Sequence, residues 1–288
     1  MTPAPPIEAP TLQGPQPGRG TRTVTFDLWH TLIQLAPAAE DRYLERQEAL
    51  LADLLRTSPE ISDARDPVSP ERAARDALAA ASRRAGAGTG GPVGRVAEDA
   101  AERAGRRARP GEWERRVEAV VEDLAFEEVT GARDELADLR SRGYRIAVVS
   151  NLVGETGRSM RRVLERLGMA RFVESWAFSD ELPWAKPAPE IFWEALRSLG
   201  ASPSDAAHVG DLASDVQGAR AAGFRGVLLF RGARAYGDRY AALFRTDEVV
   251  DPPADGVLSE WSELSARLSE LYGGTPPGPP SAGRRADR

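Results

Sequence analysis

The stretch AAHVGDLASDVQGARAAGFRGVLLF (206–230) decides the fold class, because it has the pattern of a strand, a helix and a second strand in immediate succession. The apolar runs 206–210 and 226–230 predict buried strands, and Gly223 ends the predicted helix 214–222. A helix that connects two strands in this way predicts a parallel sheet with helices packed on both faces.

The alternation of helix and strand begins near Thr130 and leads into that stretch. It predicts helices over 133–142, 155–167 and 189–199, and strands over 144–150 and 172–178. Earlier in the chain, TRTVTFDLWHTLI (21–33) predicts a further buried strand that ends near Asp27. A final amphipathic helix is predicted from apolar residues at helical spacing, namely Leu258, Trp261, Leu264, Leu268 and Leu271.

Residues 37–128 differ from the rest of the chain because they contain no convincing strand. Four helices are predicted there, over 41–56, 70–85, 95–108 and 111–126. We therefore expect an α/β protein, with a three-layer Rossmann-like parallel sheet core formed by 21–36 and 129–272 and an all-helical domain inserted at 37–128. The Pro- and Gly-rich ends, 1–20 and 273–288, are predicted to be disordered tails.

Composition excludes several classes of function. The chain has 38 Lys and Arg residues against 44 Asp and Glu, so its formal net charge of −6 argues against nucleic acid as a partner. The absence of cysteine excludes disulfides, thiolate zinc sites and a cysteine nucleophile. No signal-peptide pattern and no run of 18 apolar residues is present, so we expect a cytoplasmic protein with no membrane partner.

Polar side chains follow four of the predicted strands, where the loops of a parallel sheet gather functional groups. They are Asp27, Ser150 with Asn151, Lys186, and Asp211 with Asp215. A carboxylate such as Asp27 can attack phosphorus and form an acyl-phosphate intermediate. Asp211 and Asp215 offer the oxygen ligands that Mg²⁺ prefers, and Lys186 offers a second positive charge for an anionic substrate.

Four segments in this order resemble the four motifs of the haloacid dehalogenase superfamily: FDLWHTL (26–32), VVSN (148–151), KPAPEIF (186–192) and GDLASDVQGARAAG (210–223). The resemblance extends over nearly everything between the two ends of the chain. It implies a hydrolase with Asp27 as the catalytic nucleophile and Lys186 as the catalytic cation that bridges the nucleophile and the bound phosphate. It also implies that Ser150 and Asn151 bind the substrate.

The same resemblance implies a Mg²⁺ cofactor and a small anionic substrate. The implied metal ligands are the carboxylates of Asp27, Asp211 and Asp215 and the backbone carbonyl of Trp29. The helical insert lies where this superfamily places a mobile cap that closes over the site and carries specificity.

Trp29 departs from the pattern, because phosphatases of the superfamily usually carry an aspartate two residues after the nucleophile as general acid and base. Indole cannot exchange a proton in that role, and loss of a positioned acid–base group typically lowers the rate by roughly 10²–10⁴. Either His30 or a residue of the cap could replace it. Alternatively, the substrate is an acyl phosphate or anhydride whose leaving group needs little help.

Three interpretations therefore stay open: a phosphatase or phosphotransferase, a 2-haloacid dehalogenase-like hydrolase, and a non-catalytic binding protein built on this fold. The dehalogenase interpretation draws on the aromatic residue that dehalogenases carry at the position of Trp29, since halide leaves without a proton. The complete GDLASD segment (210–215) favours phosphoryl chemistry, because the halide-releasing members generally lack that metal-binding pattern. The sequence leaves the natural substrate and the oligomeric state open.

Overall fold

The structure is a computed structural model that describes residues 22–61, 66–244 and 253–274, together with 246, 248, 250 and 251. The predicted tails lie outside the described residues, apart from 273 and 274. Six parallel strands form the central sheet. In spatial order they are β5 (Ser175–Phe178), β4 (Arg145–Ser150), β1 (Thr23–Phe26), β6 (Ala206–Gly210), β7 (Gly226–Phe230) and β8 (Gly256–Leu258).

Strand β1 lies in the middle of the sheet and is buried along its whole length. Phe26 pairs in register with Val148 of β4 on one side and with Val209 of β6 on the other. The strand order reverses its direction here, which makes β1 the switch point where open α/β sheets bind ligands. The residues that follow β1, β4 and β6 therefore meet at one edge of the sheet.

Helices cover both faces of the sheet, as the alternation in the sequence predicts. They are α5 (Ala132–Ser141), α6 (Gly157–Arg166), α7 (Pro189–Arg197), α8 (Ala213–Ala221) and α10 (Leu264–Tyr272). On one face, Ile191 and Phe192 of α7 pack with Val216 of α8 in a buried apolar cluster. The prediction of a three-layer Rossmann-like α/β fold is confirmed.

The segment between β1 and α5 forms four helices: α1 (Pro37–Arg56), α2 (Pro70–Gly86), α3 (Gly94–Ala104) and α4 (Pro110–Asp123). Proline opens α1, α2 and α4, where its missing N–H would have no helical partner. A short antiparallel pair, β2 (Ile33–Gln34) with β3 (Glu127–Glu128), joins the two ends of this segment. Residues 127 and 128 are thus a strand within the range predicted to be all-helical. The assignment of 37–128 as a separate cap domain stays a prediction.

The end of the chain differs from the prediction in two places. Leu258 belongs to β8, where it pairs with Phe230, and the final helix begins only at Leu264. The helical spacing of Leu258 was misleading because a buried strand residue and a buried helix residue are equally apolar. A short helix, α9 (Asp238–Phe244), was not predicted.

We call residues 231–244 the strap, because this segment runs from β7 to the helical insert. Arg239 pairs with Glu48 of α1 at 2.6 Å, and the Ser82 hydroxyl of α2 donates to the Leu243 carbonyl at 2.8 Å. The Gly237 N–H donates to the Glu40 carboxylate at 2.8 Å. The strap therefore fastens the insert to the sheet. Among the described residues, no helix combines the length and the apolar character needed to cross a membrane.

Candidate active site

Asp27 follows the last residue of β1, and its N–H donates to the Val209 carbonyl at 2.9 Å, which continues the sheet ladder. Its buried carboxylate pairs directly with the Lys186 ammonium. Lys186 Nζ also lies 2.6 Å from Asp215 Oδ1. One ammonium therefore joins two carboxylates from different strand ends.

Lys186 is held by its backbone as well as by its ion pairs. The Asn151 side chain accepts a hydrogen bond from the Lys186 N–H at 2.7 Å and donates one to the Lys186 carbonyl at 2.8 Å. Both ends of the Asn151 amide thus position the loop that carries Lys186. The predicted contact between Asn151 and the substrate stays a prediction, and the observed partners make Asn151 a positioning residue.

The carboxylate of Asp215 is fixed from three directions. Oδ2 accepts the Leu212 N–H at 2.9 Å, and Oδ1 lies 3.0 Å from His208 Nε2. The other ring nitrogen of His208 lies 2.7 Å from the Thr25 hydroxyl. A Cβ added at Gly210 would overlap the Asp215 carboxyl, so the close approach of this side chain to the end of β6 requires glycine.

Asp211 lies at the same strand end and has a different set of partners. The Tyr236 hydroxyl of the strap donates to Asp211 Oδ2 at 2.9 Å, and Arg231 donates to the Asp211 backbone carbonyl. The second oxygen, Oδ1, is buried and has no hydrogen-bond partner within the described part of the chain. A buried carboxylate oxygen without a partner is uncommon and calls for a ligand.

We call Asp27, Lys186, Asp211 and Asp215 the charged floor of the site. Burial raises the pKa of Asp27 and lifts that of Asp211 well above its usual range. Burial opposes ionisation of Asp215 too, but the Lys186 ammonium and the His208 hydrogen bond lower its pKa below the usual range. Burial likewise disfavours the Lys186 ammonium, yet the charges of Asp215 and Asp27 raise its pKa.

The floor fits a divalent cation. One oxygen from each of Asp27, Asp211 and Asp215 can be chosen so that the three lie within 4.8 Å of one another. The three buried carboxylates have one ammonium beside them, that of Lys186. Asp211 Oδ1 is the carboxylate oxygen among them that has no hydrogen-bond partner within the described residues. The all-oxygen donor set suits Mg²⁺. No N–H of the described residues donates to the Trp29 backbone carbonyl, which leaves that predicted ligand available.

The floor opens into a cavity of about 310 Å³ between the sheet edge, the insert and the strap. Ser150, Asn151 and Trp29 line it from the sheet, and Ser82 and Arg83 line it from α2. The strap contributes three lining residues: Tyr240, Leu243 and Phe244. The structure therefore brings every predicted site residue except Asp211 and Asp215 to the cavity wall, and those two carboxylates group with that of Asp27.

Trp29 belongs to an aromatic wall, formed with Tyr43, Phe126 and Tyr240. The Trp29 ring stacks on Tyr43 with centroids 6.4 Å apart and meets Phe126 edge-on at 5.2 Å. Tyr240 of the strap lies 6.0 Å away. Trp29 is 6% exposed, so the position of the expected proton donor is an apolar surface.

His30 does not line the cavity, although it is the nearest titratable residue to Trp29 in the sequence. Its backbone is left-handed with φ of 52°, and its ring packs 4.4 Å from that of Tyr236. His30 Nε2 lies 2.6 Å from Glu40 Oε1 on α1. These contacts favour the turn-stabilising interpretation of His30 over a role as general acid.

Three residues at or beside the site were missed by reasoning from the sequence: His208, Tyr236 and Glu155. His208 is one of only two histidines, and its place in an otherwise apolar strand was a usable signal. Another signal was that Lys186 is the only lysine of the chain, in which arginine supplies all other strongly basic side chains. Tyr236 and Glu155 reach the site through tertiary packing, and neither belongs to a motif, although Glu155 comes soon after the motif segment 148–151.

Comparison with known proteins agrees with this geometry. A family profile described as haloacid dehalogenase-like hydrolase matches residues 21–223. The human haloacid dehalogenase-like hydrolase domain-containing protein 3 is 36% identical over 149 residues, which are 51% of this chain and 53% of that protein. A phosphoglycolate phosphatase from Nitrosococcus oceani is 31% identical over 140 residues, 49% of this chain and 56% of the relative.

The chain thus spans about half the length of these two relatives. Among solved structures, a HAD phosphatase from Thermococcus onnurineus superposes with a TM-score of 0.56 at 19% identity, over 88% of this chain and 99% of that one. That likeness supports the fold. The family profile covers well over half of the residues, and the motif residues it spans meet at one strand edge. The chain therefore belongs to the haloacid dehalogenase-like hydrolase family.

Proposed function

We propose that this protein is a Mg²⁺-dependent phosphatase or phosphotransferase that acts on a small phosphorylated metabolite through an aspartyl-phosphate at Asp27. The observation that carries the proposal is the charged floor, in which three buried carboxylates gather with one buried ammonium, and Asp27 and Lys186 of this group line a single cavity. A fold needs none of these charges for packing, and burying them is unfavourable unless they are paired or bind a ligand.

Each residue of the floor has a defined task in this chemistry. The Asp27 carboxylate attacks phosphorus, and Lys186 draws the anionic phosphoryl group toward it. The Ser150 hydroxyl, at the end of β4, lines the cavity and donates to a phosphoryl oxygen. Asn151 and Asp215 keep Lys186 in place through its backbone and its ammonium.

The metal would be held by the carboxylates of Asp27, Asp211 and Asp215 and by the Trp29 carbonyl. When bound, Mg²⁺ neutralises charge on the phosphoryl oxygens and so favours displacement at phosphorus. The Tyr236 hydroxyl orients Asp211 for this purpose. The helical insert 37–128 serves as the cap, and its Ser82 and Arg83 face the floor across the cavity.

The size and charge of the cavity define the substrate class. A volume of about 310 Å³ lies at the lower end of ligand pockets in general, which suits a metabolite of a few carbon atoms. Arg83 provides positive charge on the cap side for an anionic substrate. The phosphoglycolate phosphatase among the relatives supports a small phosphate ester as the substrate class.

A 2-haloacid dehalogenase-like activity is the second candidate, and the aromatic wall is the observation that favours it. An apolar surface around Trp29 suits a reaction whose leaving group needs no proton. The charged floor favours phosphate instead, because halide displacement has no use for the unpartnered Asp211 oxygen. A non-catalytic protein is a weaker alternative for the same reason.

One set of assays tests the proposal. Acyl, aryl and alkyl phosphates are offered with and without Mg²⁺, alongside 2-chloropropionate, and release of phosphate or halide is measured. We expect Mg²⁺-dependent phosphate release that falls by at least roughly 10³ in Asp27→Asn, because the amide is not a nucleophile. Asp134→Asn is the matched control, since this exposed carboxylate lies outside the cavity lining and its loss should leave the rate unchanged.

Two other results would favour the alternative functions. Halide release that needs no metal would replace phosphoryl chemistry with dehalogenation. Absence of any turnover, together with identical behaviour of the wild type and Asp27→Asn, would indicate the non-catalytic protein.

A further inference from the structure

The cavity contains one buried carboxyl group that the proposed reaction does not yet use. Besides Asp27, the acidic residues that line the cavity in the described part of the chain are Glu155 and Glu248, and Glu155 also lines an adjoining cavity. Glu248 is exposed, whereas Glu155 is 8% exposed and follows β4 by five residues. Trp29 leaves the loop after Asp27 without a proton donor, so an acid elsewhere on the cavity surface can assume that role.

We propose that Glu155 is the general acid and base of this enzyme, which donates a proton to the leaving group and then takes one from the attacking water. The inference rests on the proposed phosphatase function. It assigns a catalytic role to a residue outside the four motif segments.

The backbone on either side of Glu155 is fixed. A Cβ added at Gly154 would overlap the Gln47 side chain of α1, so this loop packs closely against the insert. Thr156 accepts the Ser159 N–H at 3.1 Å and caps the start of α6. Glu155 therefore enters the cavity from a constrained position, as a catalytic group must.

The side chain of Glu155 lies at the aromatic wall. Its carboxyl faces the hydroxyl of Tyr43, the residue whose ring stacks on Trp29. The Gly154 N–H also donates to Glu155 Oε2 at 3.3 Å. Glu155 and Trp29 thus both line the cavity and are linked through Tyr43.

The surroundings of Glu155 favour its protonated form. Burial raises the pKa of this carboxyl, and only the Tyr43 hydroxyl and backbone N–H groups oppose that effect. Tyr43 of α1 and Tyr240 of α9 are the titratable groups that face it. Three charged residues line an adjoining cavity together with Glu155 and form ion pairs with one another: Glu48, Arg75 and Arg239.

The proton transfers balance over the two steps. In the first, an Asp27 oxygen forms a bond to phosphorus while the bond from phosphorus to the leaving oxygen breaks, and the Glu155 proton moves to that oxygen. In the second, water attacks phosphorus and gives its proton to the Glu155 carboxylate, and the bond to Asp27 breaks. Asp27 returns as a carboxylate, inorganic phosphate leaves, and Glu155 is protonated again.

Glu155→Gln tests this assignment with rapid-quench measurement of phosphoenzyme and steady-state phosphate release in the presence of Mg²⁺. We expect alkyl phosphate turnover to fall by roughly 10²–10⁴, because an alkoxide leaves poorly without a proton. Phosphoenzyme formation from acetyl phosphate should change little, since acetate leaves unprotonated. The phosphoenzyme should then persist, because its hydrolysis lacks the base.

The pH profile gives an independent readout. The first step requires protonated Glu155, so kcat/KM of the wild type for alkyl phosphates should decline as pH rises through the raised pKa of Glu155. Glu155→Gln should lack this decline. The tyrosines that face Glu155 ionise only at much higher pH, because burial raises the pKa of Tyr43 and of Tyr240.

Asp180→Asn is the matched control. Burial raises the pKa of Asp180 to about 7, but its carboxylate accepts the Gly157 N–H at 2.8 Å and lies outside the cavity lining. This variant should keep the wild-type rate and pH profile.

The possible results distinguish failure of the Glu155 assignment from failure of the proposed phosphatase function. Wild-type enzyme that forms no phosphoenzyme overturns the proposed function and the role of Glu155 together. Wild-type phosphoenzyme combined with a Glu155→Gln variant that retains alkyl phosphate turnover within about twofold overturns the role of Glu155 alone. Failure of Glu155→Gln to form phosphoenzyme from acetyl phosphate also overturns it, because an acid–base role leaves that step intact.

Discussion

The charged floor and the aromatic wall begin within three residues of each other, yet they are built from different parts of the chain. Asp27 joins residues from the ends of other core strands, and its partners are charged. Trp29 packs against Tyr43 of the insert and Tyr240 of the strap, and its partners are aromatic. Under the proposed function, this difference separates two tasks. Residues of the core bind the phosphoryl group, and transfer of the proton depends on the residues that surround the cavity.

The largest expected effect comes from Lys186→Met, which disrupts the charged floor. This change removes the ammonium between Asp27 and Asp215, so kcat/KM for phosphate release should fall by at least roughly 10³. Removing one partner of a buried ion cluster should also lower the free energy of unfolding by about 3 kcal/mol, measured by urea denaturation without Mg²⁺.

Two companion variants test whether the floor needs this side chain or only its charge. Lys186→Arg should be nearly as inactive, because a planar guanidinium cannot replace a compact ammonium between two carboxylates. Arg171→Met, at an exposed position, should retain full activity and stability. Full activity of Lys186→Arg would show that a positive charge at position 186 suffices for activity. The site would then not require the compact shape of an ammonium.

Much of the floor could be predicted from the sequence because Asp27 and Asp211 directly follow strands with a clear pattern, and Asp215 and Lys186 lie in the segments that come after such strands. The strands β6 and β7 lie at the predicted residues, since apolar runs and Gly223 mark their limits. Once strand ends are known, a parallel sheet places their following residues together. The position of Asp27 beside Lys186 follows from topology alone.

The wall could not be predicted in this way. Its members come from α1, from the segment before β3 and from α9, which is only seven residues long and has no distinct pattern. Their meeting depends on how the insert and the strap pack on the sheet. Glu155 illustrates the same limit, because the close contact between Gly154 and Gln47 that fixes its loop is a property of the folded chain.

A moderate effect is expected from introducing an acid into the wall with Trp29→Asp. The new carboxyl occupies the position where the family resemblance places a proton donor, so in a Glu155→Gln background, which lacks the proposed acid, alkyl phosphate turnover should rise by about 10-fold or more. The gain should be absent for acyl phosphates, whose leaving groups need no proton. Turnover of both substrate types is compared under saturating Mg²⁺.

Trp29→Phe is the matched variant, because it shortens the same side chain and keeps the wall apolar. It should show no gain with alkyl phosphates. An equal gain in Trp29→Phe and Trp29→Asp, each combined with Glu155→Gln, would mean that space at the wall, rather than proton transfer, limits the Glu155→Gln variant.

The smallest expected effect concerns Tyr236, which contacts both the aromatic wall and the charged floor. Tyr236 stacks on Tyr240 and donates its hydroxyl hydrogen to Asp211 at 2.9 Å. Tyr236→Phe removes that orienting bond, so the Mg²⁺ concentration for half-maximal rate should rise about tenfold, with little change in kcat at saturation. Activity is titrated with Mg²⁺, and Tyr144→Phe is the control, because its ring contacts Tyr272 rather than the floor. A lowered kcat with an unchanged Mg²⁺ requirement would contradict the orienting role.

The strap has a kinetic consequence. Any motion that separates the insert from the sheet must break the ion pair between Arg239 and Glu48 and the hydrogen bond from Ser82 to the Leu243 carbonyl. Ser82 and Leu243 line the cavity of the site, and Arg239 and Glu48 line an adjoining cavity. Exchange of ligand and solvent is thereby coupled to the rupture of a few specific bonds, and escape of product, rather than the chemical step, can set the pace of turnover.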